Sequence, residues 1–193
     1  MKRRQALTVW TALAASSWSA WPTDTQAQTT PDTAAILRTG GCVVLLRHAQ
    51  TEPGIGDPPN FRLDQCSTQR NLSADGRMQS RRIGQWFKDR KLQPSAVQSS
   101  IWCRCKDTAD LAFGSHTVLP ALASTFEAGS GQVSQGGQTR TLRALLEAMR
   151  PGKFEVWVTH QVNITALTAE VAAMGEALIV DSNAKVLART RFG

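Results

Sequence analysis

The sequence predicts an α/β domain built on a mostly parallel central sheet with helices on both faces. Two kinds of segment carry that reading. Cys42 to Leu46 and Phe154 to Val158 are short runs of mainly apolar residues, and each ends abruptly in polar residues, Arg47-His48 and Thr159-His160. Continuous rather than alternating apolar character marks strands covered on both sides, the condition of a parallel sheet. Between these runs lie stretches of helical period, so strands and helices alternate along the chain. With 193 residues, 41% hydrophobic and 19% charged, the chain can bury the core of one globular domain.

Taken in order, Lys2, Arg3 and Arg4 precede an uncharged, largely apolar stretch from Ala6 to Trp21, then Pro22 and a polar run that closes on small residues near Ala27. That is the layout of a secretory signal peptide. Residues 1–27 are read as that signal, 28–36 as a mobile lead-in and 37–193 as the domain, which implies an extracytoplasmic, periplasmic protein. Arg3-Arg4 also fits the start of a twin-arginine signal, and the export route stays open. The apolar part is short and diluted by Ser16, Ser17 and Ser19, which argues against a retained anchor, and no other segment is long and apolar enough to span a bilayer. Removal of residues 1–27 takes away three basic residues and Asp24, changing the formal charge from +7 to +5. The basic residues Arg77, Arg81, Arg82, Lys88, Arg90 and Lys91 read as the solvated face of one helix. No aromatic-interleaved basic stripe or zinc-finger spacing points to nucleic acid, whereas a moderate positive charge suits an anionic substrate.

Past the first strand, Pro53 to Pro59 is a Gly/Pro-rich loop. A helix follows with Ser73 as its N-cap, Asp75 in its first turn and Ile83, Trp86 and Phe87 on one face. A short strand at 96–98 leads to a helix from about Lys106 to Ala112, stopped at Gly114. Residues 118–122 suggest a further strand, 129–137 a flexible loop, and 138–149 a helix stopped by Pro151-Gly152. The helix after His160 is expected to carry Ile164, Leu167, Val171 and Met174 on one side, and strands at 177–180 and 185–188 close the domain. Ligands of such sheets bind at the carboxyl ends of the strands, where Arg47-His48 and Thr159-His160 both fall.

Only three histidines are present, and two of them end apolar strands. Leu46-Arg47-His48-Ala49, Leu72-Ser73-Ala74-Asp75-Gly76-Arg77-Met78-Gln79, Ser99-Ser100-Ile101-Trp102-Cys103-Arg104 with Thr108-Ala109, and Val158-Thr159-His160 follow one another in the order and structural context of the histidine phosphatase superfamily, which the sequence resembles from about Val43 to Leu187. The resemblance implies a phosphoglycerate mutase-like fold and a phosphomonoester hydrolase that needs no metal or other cofactor. It makes His48 the nucleophile that becomes a phosphohistidine, with Arg47 and Arg104 as the clamp for phosphate oxygens. His160 becomes a fourth phosphate ligand that stabilises charge in the transition state. Two departures stand out. Ala49 replaces the customary Gly of an RHG triplet, and the acidic proton donor that many members carry is poorly matched. Glu127 is the best-placed candidate for it, with a solvated loop carboxylate as the competing reading, and Asp107 is a weaker substitute.

These residue types suit the chemistry. Phosphoryl transfer needs an in-line nucleophile, donors for three equatorial oxygens and help for the leaving group. A histidine nucleophile must be unprotonated at the attacking nitrogen, its other nitrogen held by a carbonyl. Arginines offer bidentate, charge-assisted bonds that Lys does not copy. The bland alternative for Arg47 and Arg104 is an ordinary surface arginine. Arg47 follows five apolar residues, which favours a buried backbone and a functional role, whereas the segment bearing Arg104 has the competing purpose of placing cysteines. His116, in Gly114-Ser115-His116, has no motif around it and reads as a plain surface histidine.

Four cysteines in an exported protein imply at least one disulfide. Cys66 and the pair Cys103 and Cys105 lie in segments that leave the carboxyl edge of the sheet, which predicts a bridge from Cys66 to Cys103 or Cys105, with Cys103 preferred. Cys42 sits at the far end of its strand, about 20 Å from His48 by strand rise, and is expected to be a buried thiol. A metal site at Cys103-Arg104-Cys105 is disfavoured by the missing CxxC spacing and the intervening positive charge. Two other functions stay open: a phosphate- or anionic-sugar-binding module with a degenerate pocket, and a mutase-type phosphotransferase. Export argues against the latter and against phosphohistidine-protein phosphatases. The exported relatives include a phosphatase of lipopolysaccharide-core heptose phosphate, so the resemblance points to a small phosphorylated or envelope-linked substrate. No nucleic-acid partner is implied, and the oligomeric state is left open.

Overall fold

The computed structural model describes residues 32–125 and 134–192, so the segment 1–27 read as a signal, residues 28–31 of the lead-in and Glu127 lie outside the described residues. Six strands form one sheet: β1 (Cys42–Arg47), β2 (Ala96–Ser99), β3 (Thr117–Val118), β4 (Phe154–Thr159), β5 (Glu176–Asp181) and β6 (Val186–Arg191). Their order is β3-β2-β4-β1-β5-β6. The first four run parallel, and β5 and β6 complete the sheet antiparallel. Five helices accompany them: α1 (Thr33–Thr39), α2 (Ala74–Asp89), α3 (Cys103–Phe113), α4 (Gln135–Glu147) and α5 (Gln161–Thr168).

Successive side chains of a strand point to opposite faces, and β1 distributes its apolar run accordingly. Cys42, Val44 and Leu46 pack with Leu37 of α1, Ile83 and Phe87 of α2, and Cys105 and Ala109 of α3. Val43 and Leu45 pack on the opposite side with Leu142 and Leu146 of α4 and Ile164 and Leu167 of α5. β1 is thus central and covered on both faces, as its lack of alternation required. Its register with β4 sets Arg47 opposite Thr159, so the two polar strand ends are adjacent in space. The basic residues from Arg77 to Lys91 lie exposed along α2 and its C-terminal turn.

Several element boundaries differ from expectation, each for a local reason. Residues 33–36, assigned to the lead-in, form the first turn of α1, because Asp32 caps the Ala34 N–H and Ala34 and Leu37 are buried. α3 begins at Cys103 rather than Lys106, because the Cys103 N–H is satisfied by the side-chain oxygen of Gln69 from 34 residues upstream, at 2.9 Å. The strand expected at 118–122 is instead Thr117–Val118, which pairs with β2. Pro120 then opens a 3-10 turn over Pro120–Leu122. α4 starts at Gln135, inside the segment read as a loop, with Ser134 capping the Gly137 N–H. α5 stops at Thr168, where Ala169 turns left-handed at φ 61° and Thr168 bonds its hydroxyl back to Ile164. Val171 is consequently exposed, and Met174 lines the cleft described below instead of a helix face.

α2 and α3 pack closely at Gly84, where a Cβ would run into the Ala112 carbonyl oxygen. Gly84→Ala is expected to destabilise the domain by about 1–3 kcal/mol, the usual cost of forcing a methyl into a packed contact, measured by urea unfolding. An unchanged midpoint would mean that the helices separate freely.

Candidate active site

The carboxyl ends of β1 and β4, the start of α3 and the 53–59 loop enclose a cleft of about 480 Å³. Arg47, His48, Arg70, Arg104, His160, Gln161 and Asp57 are among its lining residues. All four motif residues named from the sequence therefore meet in one place.

His48 continues β1 through its N–H, which bonds the Thr159 carbonyl at 3.0 Å. Its Nδ1 lies 2.9 Å from the Ala49 carbonyl oxygen. A carbonyl accepts only, so Nδ1 carries the proton and Nε2 keeps its lone pair. Burial, then the charge of Arg104 and more weakly those of Arg47 and Arg70, push the His48 pKa down to about 3 against the opposing hydrogen bond to Ala49. The nucleophilic form is thus the resting form. Ala49, in place of glycine, is fully buried and gives its N–H to Thr108 at 3.0 Å, and Thr108 in turn bonds the Arg104 carbonyl. The added methyl is absorbed by the core.

His160 is the N-cap residue of α5, and its ring stands 5.4 Å from that of His48 between centroids. Its Nε2 is 2.9 Å from the Ser100 hydroxyl, which also accepts the Trp102 N–H and orients the ring in the cleft. Burial, then proximity to His48, Arg104, Arg47 and Arg70, holds its pKa well below the usual imidazole value, so both imidazoles are neutral without a bound anion. Cys105 lies 3.4 Å from the same Nε2, and burial pushes its thiol up to about 12, which makes it an inert packing group.

Each of the three arginines is held through its Nη1 by a described residue. Arg47 donates through Nη1 to the Ala172 carbonyl at 2.7 Å, and Arg70 through Nη1 to the Gly54 carbonyl. Arg104 places Nη1 2.8 and 3.0 Å from the two carboxylate oxygens of Asp57 and lies over the Trp102 ring, 4.5 Å from its centroid. The Nε atoms of Arg47 and Arg104 are buried with no hydrogen-bond partner among the described residues. Burial, followed by the charges of Arg70 and Arg104, lowers the pKa of Arg47.

The structure pairs Cys66 with Cys103, leaving Cys42 and Cys105 as buried thiols. Together with Gln69, this bridge fastens the long β1–α2 connection to the first turn of α3 beside Arg104. Asp107 is outside the cleft and faces Arg77 at 3.5 Å, so it is no substitute proton donor. His116 pairs with Asp110 at 2.7 Å and is more enclosed than a plain surface histidine, because the turn after α3 folds back on that helix. Among the described residues no group of three or more His, Cys, Asp or Glu could hold a metal ion, and no helix is long and apolar enough to cross a membrane.

Sequence reasoning missed Arg70, Asp57 and Ser100. Arg70 stands two residues before the quoted Leu72-Ser73 motif, a cue that was present in the sequence. Asp57, in Gly56-Asp57-Pro58, has the composition of an ordinary turn. Ser100 was quoted in a motif, but its neighbour in space comes from 60 residues away.

Two consequences are measurable. Between pH 6.5 and about 3 the unfolded chain takes up a proton that folded His48 refuses, so stability falls as pH drops through that window. One such imidazole contributes about 2 kcal/mol of loss between pH 7.5 and 5, and His48→Asn should flatten the measured slope. Cys66→Ser should destabilise the domain by about 4 kcal/mol, as expected for opening a loop of this size. An unchanged denaturation midpoint would show that Gln69 and the core suffice.

Comparison with known proteins agrees with this geometry. The model of the histidine phosphatase superfamily (branch 1) matches residues 43–127. No curated protein matches the sequence at a significant level. Among solved structures, the TTHB049 protein of Thermus thermophilus is 21% identical, with a TM-score of 0.54 over 78% of this chain and 99% of its own. The protein histidine phosphatase SixA complexed with tungstate is 18% identical, with a TM-score of 0.51 over 77% and 92%. A putative phosphohistidine phosphatase SixA from Agrobacterium tumefaciens is 16% identical, with a TM-score of 0.51 over 77% and 97%. At these identities the structures speak for the fold, which is phosphoglycerate mutase-like. The superfamily's own model matches 85 of the 193 residues, a segment that carries Arg47, His48 and Arg104 on that fold.

Proposed function

We propose that this protein is a metal-independent phosphomonoesterase that works through a phosphohistidine on His48. The observation that carries the reading is the buried, neutral His48, its proton held on Nδ1 by the Ala49 carbonyl and its Nε2 lone pair in a cleft lined by Arg47, Arg70, Arg104 and His160. In the first step Nε2 attacks phosphorus in line, the N–P bond forms and the bond to the leaving oxygen breaks. Arg47 and Arg104 hold equatorial oxygens through the guanidinium edges whose Nε atoms have no partner among the described residues, and Arg70 adds a third positive charge. The bound dianion draws a proton onto His160, which then stabilises the charge of the transition state. Gln161 and Val162, the first residues of α5, line the same cleft, where the positive end of the helix favours an anion. Water then attacks the phosphohistidine and releases inorganic phosphate.

The cleft has the size of a small-molecule site. Beyond its cationic end its lining includes Ile55, Val162 and Met174 alongside Ser124 and Gln161, which suits a compact leaving group with both apolar and polar faces, such as a sugar. An extracytoplasmic, envelope-derived substrate is favoured by the basic-then-apolar N-terminus and by the Cys66–Cys103 bridge, which needs an oxidising compartment.

Hydrolysis of nitrophenyl phosphate should persist in EDTA and be inhibited by vanadate. His48→Ala should abolish it, and Arg47→Ala, Arg104→Ala and His160→Ala should each lower the rate about a hundredfold or more. Rapid quench should trap an acid-labile, base-stable phosphoenzyme. Label on serine or cysteine, or activity lost to chelation and restored by one metal, overturns the mechanism. Phosphate binding without turnover would favour the binding-module reading.

A further inference from the structure

Asp57 is the only carboxylate among the described residues that line the cleft. Its side chain is 1% exposed and that of its partner Arg104 5%, so the ion pair is sealed from water rather than set on the rim. Asp57 is fixed from a second direction as well, accepting the backbone N–H of Arg70 on Oδ1 at 2.7 Å. Its carboxylate is therefore held in place beside the Arg104 guanidinium. On Arg104 both its oxygens engage Nη1, and the buried Arg104 Nε has no partner among the described residues. The loop that carries it, with Gly54 and Gly56 at φ 131° and 74°, forms the wall of the same cleft.

The geometry points to Asp57 as an internal anion of the phosphate site: it positions Arg104 while the cleft is empty, and it opposes the bound phosphate, keeping product affinity low enough for release. The inference rests on reading the cleft as a phosphate site. A cluster of three guanidiniums around a dianion, with nothing to offset it, binds inorganic phosphate tightly, and a hydrolase whose second product is that ion would then stall. A fixed carboxylate beside Arg104 removes one positive charge from the resting site and repels the product. Even at the dielectric of water, a unit charge about 6 Å from a dianion changes its affinity about tenfold. Asp57 is thus a positioning and affinity-setting residue, with no bond made or broken on it.

The test measures inorganic phosphate binding to the full-length protein by calorimetry, with thermal melts with and without phosphate. Asp57→Asn keeps an oxygen for the Arg70 N–H and removes the charge, and Asp57→Ser is a second, smaller neutral variant. Both are expected to bind phosphate about tenfold more tightly than wild type, to melt lower than wild type without phosphate, and to gain more in melting temperature when it is added. Unchanged or weaker phosphate binding in a folded variant overturns the inference and makes Asp57 a structural prop of Arg104. So does a selective loss of alkyl phosphate turnover with nitrophenyl phosphate unaffected, which would make Asp57 a proton donor. If wild type and both variants bind no phosphate at all, the phosphate-site reading itself fails, a result distinct from equal binding in all three.

Discussion

Positive charge gathered at one end of a buried sheet is the condition that the rest of this structure has to satisfy. Arg47, Arg70 and Arg104 reach the same cleft, and unit charges about 7 Å apart in an effective dielectric of about 20 repel one another by about 2 kcal/mol. A site of that kind has to be held in place by something other than its ligand. The holding groups are identifiable: the Ala172 carbonyl on Arg47, the Gly54 carbonyl on Arg70, and Asp57 with the face of Trp102 on Arg104. The two imidazoles respond by giving up their charge, so the empty site has arginines as its cations and neutral histidines between them. Neutrality leaves His48 with a lone pair on Nε2, as the proposed nucleophilic role requires, and leaves His160 able to gain a proton when an anion arrives.

That arrangement needs more than the sheet. β1 and β4 place His48 and His160 through register alone, because Arg47 pairs opposite Thr159 and each histidine follows its strand directly. Arg104 and Asp57 depend instead on the 53–72 connection, which has little apolar content of its own and is tied down at separate points. The Cys66–Cys103 bridge, the Gln69 bond to Cys103 N–H and the Asp57–Arg104 pair all converge on the first turn of α3. Each ties a residue of the connection to one 34 to 47 positions later. The bridge shortens the unfolded chain's freedom and also fixes the loop against the arginine it has to orient. Structural and functional effects of changes in this loop will therefore be coupled, unlike those at Gly84, which lies on the helix layer away from the cleft.

This division explains what the sequence revealed. β1 and β4 were legible because a short, mainly apolar run ending in Arg-His or Thr-His suits a strand covered on both faces, with its polar end at the carboxyl edge of the sheet. Ser73 was legible as a cap because capping is local. The start of α3 was not, since its first N–H is satisfied by Gln69, far away in the chain. The length of α5 was misjudged for a different reason. Val171 and Met174 continue the helical period of Ile164 and Leu167, but the local hydroxyl bonds of Thr165 and Thr168 and the left-handed Ala169 end the helix before them. Apolar spacing reports which residues can share a face, and carries no information about where the backbone leaves the helix.

Asp57 shows the same limit at the level of chemistry. Between glycine and proline in a polar loop, an aspartate has the signature of a turn, and only the tertiary contact reveals that its carboxylate is buried against Arg104. Breaking a buried pair of this kind by removing one partner leaves an uncompensated charge, with a characteristic cost of about 3–5 kcal/mol. Here the partner removed and the partner remaining are not equivalent. Loss of Arg104 would strand a carboxylate in a site that still contains two arginines able to accept it. Loss of Asp57 would strand a guanidinium among like charges, which only an anion from solution could compensate. Under the proposal that the cleft takes phosphate, loss of Asp57 both lowers the stability of the ligand-free site and raises its avidity for that anion, and the two effects have the same electrostatic origin.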